Sequence, residues 1–585
     1  MKSYTKKIPL FFLLLALVLS ISACGSSAEK EMKPSADWSR SVAVGESVNG
    51  STGLSVENGG QRVHIIWPYD TDEGIRLHYV QLDPSVQPLV ESDLDLAGQI
   101  KAPRLVVSGQ DYLHLFWSSR EAGTPDWELY YQRLEEDGQL SGAPTRLSPP
   151  GVVIGEYTAI SDQAGGAVLT WGKGSAGDLY ILHLGQDGSI LSGPEIYTSQ
   201  GESPTVRLDA EGNLHLAWRQ GGDIYYAVTG LDQLDAIQGS RVASLTLGTG
   251  VSLSGPIVGV THDWVYLLWS LLSQSGMEAG TASTEYVASP RGSMDFSNPE
   301  RIWIPSEEEI TYRPYQSSLG LTQLADVAQV PSQASDFILH PNTLESQESE
   351  MVVALGVNQQ LRLDLQLQIA TLVLKDGQVQ GFSMAGKTDH LSDDAVIAAD
   401  TQGNLHLIWR EGAGGHKVFY ASTAPQARAE LDRINTGDVV GAALQGGMES
   451  FVSIALLPVI GFGWLLPGLL VVGTYKLFRE HENMRDPVSW IPLIIAVAMY
   501  EGLKIVTLPT MTSYVPFSAW LEIPNAWDAP LRFGMPVLIF LIALFVAYRM
   551  QKRYSASTLV FYMALGLTDA VLSLAIYGVN FLGVF

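Results

Sequence analysis

Asp209-Ala-Glu-Gly-Asn-Leu-His-Leu-Ala-Trp218 returns almost unchanged as Asp400-Thr-Gln-Gly-Asn-Leu-His-Leu-Ile-Trp409. The first half of the phrase is a turn, because Asp, Gly and Asn suit the tight backbone of a reversal. The second half is a strand that closes on Trp. Looser endings of the same kind stop at Trp67, Trp117, Trp171 and Trp269. The first five Trp are spaced by 50, 54, 47 and 51 residues. Trp269 to Trp409 is 140 residues, too long for one unit; a degenerate copy, Met351-Val-Val-Ala-Leu355, lies 54 before Trp409, and an insertion at about 289–350 takes up the rest. The count is seven units, or six if the insertion and the Met351 copy do not make a full one. A fixed period of this length signals a repeat architecture.

Each unit has the same internal order. A strand such as Pro204-Thr-Val-Arg-Leu208 precedes the turn, and the Trp strand follows it. A third strand is rich in Tyr, as in Leu129-Tyr-Tyr131 and Ile224-Tyr-Tyr226. Asp137-Gly138, Asp187-Gly188 and Asp376-Gly377 then read as two-residue hairpin turns, where both residues need positive φ. Four antiparallel strands per 50 residues describe a propeller blade. The Trp strands are apolar on both faces, as a sheet covered on each side by a neighbour requires; a one-sided sheet alternates more strictly. The fold expected for residues 38–424 is therefore all-β, a seven-bladed β-propeller. The segment Arg40-Ser-Val-Ala-Val44 is placed to supply the last blade's missing strand and close the ring, which removes exposed edges.

The phrases Asp-x-x-Gly-Asn-Leu-His-Leu-x-Trp resemble those of the sialidase-like, Asp-box-type propellers. The resemblance covers the repeats and concerns fold. The family's Ser-x-Asp-x-Gly-x-Thr-Trp boxes are not reproduced: residues 161–171 have the Ser but not the spacing. The resemblance implies an arginine triad, a Tyr–Glu pair and an Asp in enzymes of the family. Arg104, Arg207 and Arg313 fall before or within expected inner strands. A shared fold is not a shared activity.

The two ends of the chain point to a membrane. Lys2, Lys6 and Lys7, the apolar run from Ile8 to Ile21, and Ile21-Ser-Ala-Cys24 resemble a bacterial lipoprotein signal. The chain's single cysteine falls at the position that pattern lipidates. The resemblance implies removal of residues 1–23 and a diacylglycerol on Cys24, with 24–37 as a flexible tether. One cysteine also leaves no intrachain disulfide and no thiolate cluster. Residues 425–449, Gly-rich in the second half, read as a linker. Residues 450–585 read as a four-helix transmembrane domain, with spans at 450–477, 488–508, 534–548 and 557–582. Lys476, Arg479 and Arg485, then Arg549, Lys552 and Arg553, make the loops 476–487 and 549–556 cytoplasmic by the positive-inside tendency. The propeller is then expected on the extracytoplasmic face of a bacterial cytoplasmic membrane, as the lipoprotein signal independently requires.

A net charge of −26 repels phosphate backbones, so no nucleic-acid partner is expected. The sequence offers no catalytic set, no metal-ligand set and no cofactor motif. His64, His114, His215 and His406 recur at one repeat position. On separate blades they point into separate interfaces and do not converge on one ion. Asp70-Thr-Asp-Glu-Gly74 is a hairpin turn, lacking the bidentate Glu of a calcium loop. The anomaly lies in the spans. Glu501 and Lys504 share a helix face three residues apart, and Asp569 sits near the middle of the last span. Each such residue costs about 2.5–3.5 kcal/mol at a helix centre. The second and fourth spans run in the same direction, and the two carboxylates fall at similar depth, so the three residues are expected to meet as an intramembrane charge cluster. The expected function is a membrane-attached binding module for an extracytoplasmic protein or glycan. The rival readings are a sialidase-like glycan hydrolase, and a transporter or sensor that uses the membrane cluster.

Overall fold

The computed structural model describes residues 34–582 except 48–54, 60–61, 73, 108–111, 122, 163, 175, 277–278, 307–309, 329–333, 336, 345–347, 362–363, 387, 389–390, 413–415, 434–435, 480–483, 485, 509–510, 512–513, 518–524 and 555–556. Two compact units divide the chain: 32–361 with 365–433 form one, and 434–585 fall in the other.

The first unit is built of antiparallel sheets on one plan. Gln99–Val107, Tyr112–Arg120, Glu128–Glu135 and Leu140–Arg146 pair in chain order. Ser55–Gly59, Arg62–Thr71, Gly74–Leu82 and Pro88–Leu94 do the same, as do Val251–Val260, Trp264–Ser273, Ala282–Pro290 and Glu300–Arg301. A seven-stranded sheet runs from Ile154–Ser161 to Ser240–Ser244. Its middle strand, Ile190–Leu208, is 19 residues long. The first half of that strand pairs with Gly177–Leu184 and the second half with Asn213–Gln220, so it ends one four-stranded set and begins the next. Ile338–Thr343, Met351–Leu361, Asp364–Lys375 and Gln378–Met384 form a set extended outward by Gln323–Ala325 and Tyr312–Pro314. Ser392–Ala399, Leu405–Glu411 and Lys417–Ser422 are completed by Val42–Glu46.

The first strands of successive sets touch in a closed cycle. Ser55–Gly59 meets Gln99–Val107, which meets Ile154–Ser161, then Ile190–Leu208, Val251–Val260, Ile338–Thr343 and Ser392–Ala399, which returns to Ser55–Gly59. Sheets standing around a common axis with their first strands innermost make a β-propeller. Its core lies between neighbouring sheets. Trp117 packs with Leu77, Tyr79 and Ile100, and Trp218 with Ile160, Val168 and Leu179. Trp117, Trp171, Trp218 and Trp409 each lie flat on a third-strand Tyr or Phe at 5.5–5.9 Å.

Local details depart from expectation. Only Asp376-Gly377 has positive φ at both residues; at Asp137-Gly138 and Asp187-Gly188 the glycine alone is left-handed. At the first of these the chain closes through Gly138 N–H to Glu135 O and Glu135 N–H to Gln139 O, a three-residue loop with Gly in its last place. The insertion is not external to the ring. It supplies Glu300–Arg301 to one set, Ile338–Thr343 to the next, and two outer strands.

The second unit is helical. Its helices follow α1, Pro425–Leu431 of the first unit, as α2, Thr436–Ile454; α3, Phe462–Phe478; α4, Trp490–Thr507; α5, Asn525–Tyr554; and α6, Thr558–Leu582. The Gly-rich stretch expected as a linker is the helix α2: its glycines weaken helix propensity without forbidding the helix. A π-helical turn, Leu457–Gly461, separates it from α3 at Pro458. Four helical segments are long and apolar enough to cross a membrane: 457–478, 487–507, 529–553 and 558–578. The third reaches well beyond the 534–548 expected, because Pro530 and Pro536 lie within the helix and do not end it. Helix α6 packs against α2, α3, α4 and α5, and half of its spanning window is buried against 17–28% in the other three. Close approach depends on glycine. A Cβ on Gly468 would collide with Tyr562, and one on Gly566 with Leu465.

Candidate functional site

The polar groups that recur with the repeat pair first within their own blades; His114 Nε2 also meets Gly165 O of the next blade at 3.0 Å, and Arg291 Nη1 reaches Asp209 Oδ2 at 3.5 Å. Asp209 Oδ1 accepts the N–H of Glu211 at 3.0 Å and of Asn213 at 2.8 Å, which closes the turn. Asp400 does the same for Gln402 and Asn404, both at 2.8 Å. The ring Nδ1 of His64, His114, His215 and His406 lies 2.7, 3.0, 2.6 and 2.8 Å from the hydroxyl of Tyr79, Tyr131, Tyr226 and Tyr420. Each histidine has its own third-strand tyrosine. Burial, with Arg62 nearby, holds His64 down to about 4; burial also lowers His114 and His215, against the pull of neighbouring carboxylates. His64, His114 and His215 are neutral core groups.

A second set does not repeat. The innermost strand is bulged at or one residue beyond the Trp position, as the register shifts at 101–104, 154–157, 202–205, 254–257, 339–342 (opposite Leu355) and 393–396 show. A left-handed residue occupies five of these bulges: Ala102, Ser203, Gly255, His340 and Asp394. Bulges re-aim side chains, and strained φ values gather at functional sites. At the last two, on adjacent inner strands, the side chains converge. His340 Nδ1 lies 2.7 Å from Asp393 Oδ1 and 4.0 Å from Asp394 Oδ1, and Arg410 Nη2 donates to Asp394 Oδ2 at 2.8 Å. Arg410 and Asp394 are mostly buried, and His340 is 40% exposed. Burial pushes the imidazole down, but the two carboxylates outweigh it and raise His340. His340, Asp393 and Asp394 could hold a metal ion, their ligand atoms all lying within 4.8 Å of one another. Arg410 competes for one Asp394 oxygen.

The sequence reading missed this cluster. His340 lies in the insertion and outside the repeat phrase. Asp393-Asp394 precedes the second copy of the phrase by a few residues. The one available signal was the basic residue after Trp: Arg219 pairs with Glu202 at 2.8 Å as Arg410 pairs with Asp394. The arginines singled out from sequence do not converge. Arg104 and Arg207 are on inner strands. Arg313 is on an outer strand, with Nε 2.6 Å from Asp326 and Nη2 donating to Gln380 O.

The helical unit does bring its three expected residues together. Lys504 Nζ lies 2.8 Å from Glu501 Oε2 and 2.5 Å from Asp569 Oδ1. Asp569 Oδ1 also accepts from Tyr500 Oη at 2.9 Å and from Ser573 Oγ at 3.3 Å. Tyr500 meets Gly566 O and Lys504 meets Asp569, so α4 and α6 run parallel, as expected of a second and a fourth span. Lys504 is 2% and Asp569 0% exposed; Glu501 is 18% exposed. Cys24, the expected signal 1–23 and the tether up to residue 33 lie outside the described residues.

No protein-family model and no curated protein matches the sequence. Among solved structures, the chain is similar to a Dyadobacter fermentans protein of unknown function, at 11% identity and a TM-score of 0.35, over 65% of this chain and 98% of that one. It is similar to Trypanosoma rangeli sialidase at 12% identity and TM-score 0.35, over 74% of this chain and 63% of that one. It is similar to Penicillium chrysogenum α-L-arabinanase at 12% identity and TM-score 0.30, over 58% of this chain and 99% of that one.

Proposed function

We propose that the chain is a membrane-attached, extracytoplasmic binding protein whose seven-bladed propeller takes a hydroxyl-bearing ligand, a glycan, beside His340, Asp393, Asp394 and Arg410. Counting the 19-residue strand as two gives seven sets around the ring. The observation that carries the reading is the convergence of a carboxylate pair, an imidazole and a guanidinium on two adjacent inner-strand bulges. Such groups donate to and accept from hydroxyls, and they are the polar contacts that fix a ligand's orientation in a pocket. The four-span unit and a lipid on Cys24 hold the propeller at the cytoplasmic membrane, with 476–487 and 549–556 on the cytoplasmic side.

The test is binding of the full chain, in detergent micelles, to an array of glycans. Binding lost in Asp394→Asn and Arg410→Gln, with the unfolding midpoint of the parent, is the expected result. Binding unchanged in both variants overturns the site. Turnover of a bound glycan, rather than retention, moves the reading to a hydrolase. Mass spectrometry of the mature N-terminus checks the anchor: an unmodified peptide running through Ala23-Cys24 removes it.

A further inference from the structure

Helices α4 and α6 bury three formal charges where two would balance. Lys504 lies between Glu501 and Asp569, within hydrogen-bond distance of both. One ammonium neutralises one carboxylate. A second carboxylate, if ionised, would leave a net negative charge in an apolar interior, where each uncompensated ion carries a desolvation cost of several kcal/mol.

Among the described residues, nothing else packed against the cluster supplies the missing positive charge. On α4, the ionisable side chains are Tyr500, Glu501 and Lys504 themselves. On α6 they are Tyr562, Asp569 and Tyr577. Helix α3 has no ionisable side chain before Tyr475, which bonds Ser489 in the turn that precedes α4. Helix α5 has none between Arg532 and Tyr548; the residues it buries in that interval are Ile539, Ala543 and Ala547. On α2, Ser453 meets Gly578, nine residues beyond Asp569 and so about 13 Å along α6. Glu449 stands beside Ser450, whose Oγ donates to Ala575 O, six residues beyond Asp569, and as an acid it supplies no positive charge. Two buried oxygens in the cluster, Glu501 Oε1 and Asp569 Oδ2, have no hydrogen-bond partner among the described residues.

We propose that Glu501, Lys504 and Asp569 form an intramembrane proton-binding site, with the proton on Glu501. The donors decide which carboxyl is the anion. Three of them, from Tyr500, Lys504 and Ser573, converge on Asp569 Oδ1. Donors to a carboxylate favour its charged form. Glu501 receives only Lys504 on Oε2, and its Oε1 is unpaired. Glu501 is also the more exposed of the two, so it is the carboxyl that a reagent reaches first. The site is then neutral with Glu501 protonated and carries one negative charge when the proton leaves. The inference is independent of what the propeller binds.

A hydrophobic carbodiimide tests it. The reagent adds the O–H of a protonated carboxyl across one of its C=N bonds, and rearrangement leaves a stable acylurea on the carboxyl, with no oxidant or other co-reactant. The full chain in micelles is treated at neutral pH, and its peptides are read by mass. The expected product carries one label, on Glu501, and labelling falls as the pH is raised. Glu501→Gln abolishes it. Asp569→Asn abolishes it as well, although Glu501 is intact, because Glu501 and Lys504 then form a balanced pair and Glu501 ionises. A label on Asp569 in place of Glu501, a label on Glu501 that persists in Asp569→Asn, or no label at any pH each overturns the proposal. If Asp569→Asn does not fold, Tyr500→Phe serves: Lys504 and Ser573 still give Asp569 two donors against one on Glu501, and the label stays on Glu501. A label that moves to Asp569 in that variant overturns the assignment by donor count.

Discussion

The propeller and the helical unit treat buried polar groups in opposite ways. In the propeller, each buried histidine finds its tyrosine 11–17 residues away in the same blade. The arrangement recurs because it belongs to the repeat, and every copy of the histidine–tyrosine contact is made within one blade. In the helical unit, the bond from Lys504 to Asp569 joins residues 65 apart on two helices, and no copy exists elsewhere among the described residues. What repeats is explained by the fold. What occurs once, at His340–Asp393–Asp394–Arg410 and at Glu501–Lys504–Asp569, is where a function has room to be.

The comparison breaks first at Asp569. Replacing it with Ala leaves Lys504 with Glu501 as its one partner and takes the acceptor from Tyr500 and Ser573 in an apolar interior, a loss of about 1–3 kcal/mol for each stranded donor. Thermal unfolding in micelles, read against the parent, checks it. Replacing all three charged residues by apolar ones of similar volume should restore most of that loss, because well-packed apolar side chains match a buried ion pair for stability. If Asp569→Ala unfolds with the parent, the cluster is not buried as the structure has it. In the propeller, Trp218→Ala is expected to cost a similar 3–5 kcal/mol for a different reason, the cavity left between two blades. No compensating substitution of charge should rescue it.

How much could be read in advance follows the same division. The Trp phrase, the third-strand tyrosines and the closure by Val42–Glu46 were legible because a repeat states its geometry several times. Even the degenerate Met351 copy places Leu355 opposite a bulge, where other blades put Trp. The membrane triad was legible for the opposite reason: a charge in a long apolar run stands out. His340 was not, because a histidine in a polar insertion looks ordinary and its left-handed backbone has no signature in residue type. The linker was misread because glycine content reports propensity in water, and α2 forms in spite of it.

A smaller effect tests whether the two best copies of the phrase are equivalent. Asp209→Ala and Asp400→Ala each remove an acceptor of two backbone N–H groups, with an expected cost of about 2–3 kcal/mol apiece, nearly additive for separate blades. Unequal losses, or strong coupling, would mean that the copies are not interchangeable. The acid limb of stability carries the same signature. Burial pushes Asp400 up, but the neighbouring His406 and Asn404 and the turn N–H groups overcome it and hold its carboxyl down to about 2. Its contribution is present above the ordinary carboxylate range and is lost as pH falls toward 2.

The smallest effect separates the repeated histidines from the unrepeated one by the sign of a pH slope. His64 is held down to about 4, and His114 and His215 are lowered too. The unfolded chain binds protons at these sites before the folded one does, so they make stability rise with pH below about 6.5. His340 is raised: burial lowers it, but Asp393 and then Asp394 more than reverse this. The folded chain then holds a proton that the unfolded chain has released. Its contribution is complete below about 6.5 and disappears as pH rises through the folded value, so it makes stability fall with pH. The pair is partly exposed, which keeps the amplitude under about 1 kcal/mol. Unfolding midpoints of the parent and of Asp393→Asn should therefore agree at about pH 9, where the imidazole is neutral in both, and diverge near pH 6, with the parent the more stable. A His64→Phe variant should change only the other limb, below about pH 6.5, where removing a histidine that resists protonation flattens the slope. If Asp393→Asn instead shifts stability equally at all pH values, His340 is not charged in the folded protein. The cluster would then be one more neutral structural contact, and the distinction between repeated and unrepeated histidines would fail at the place where the ligand site has been put.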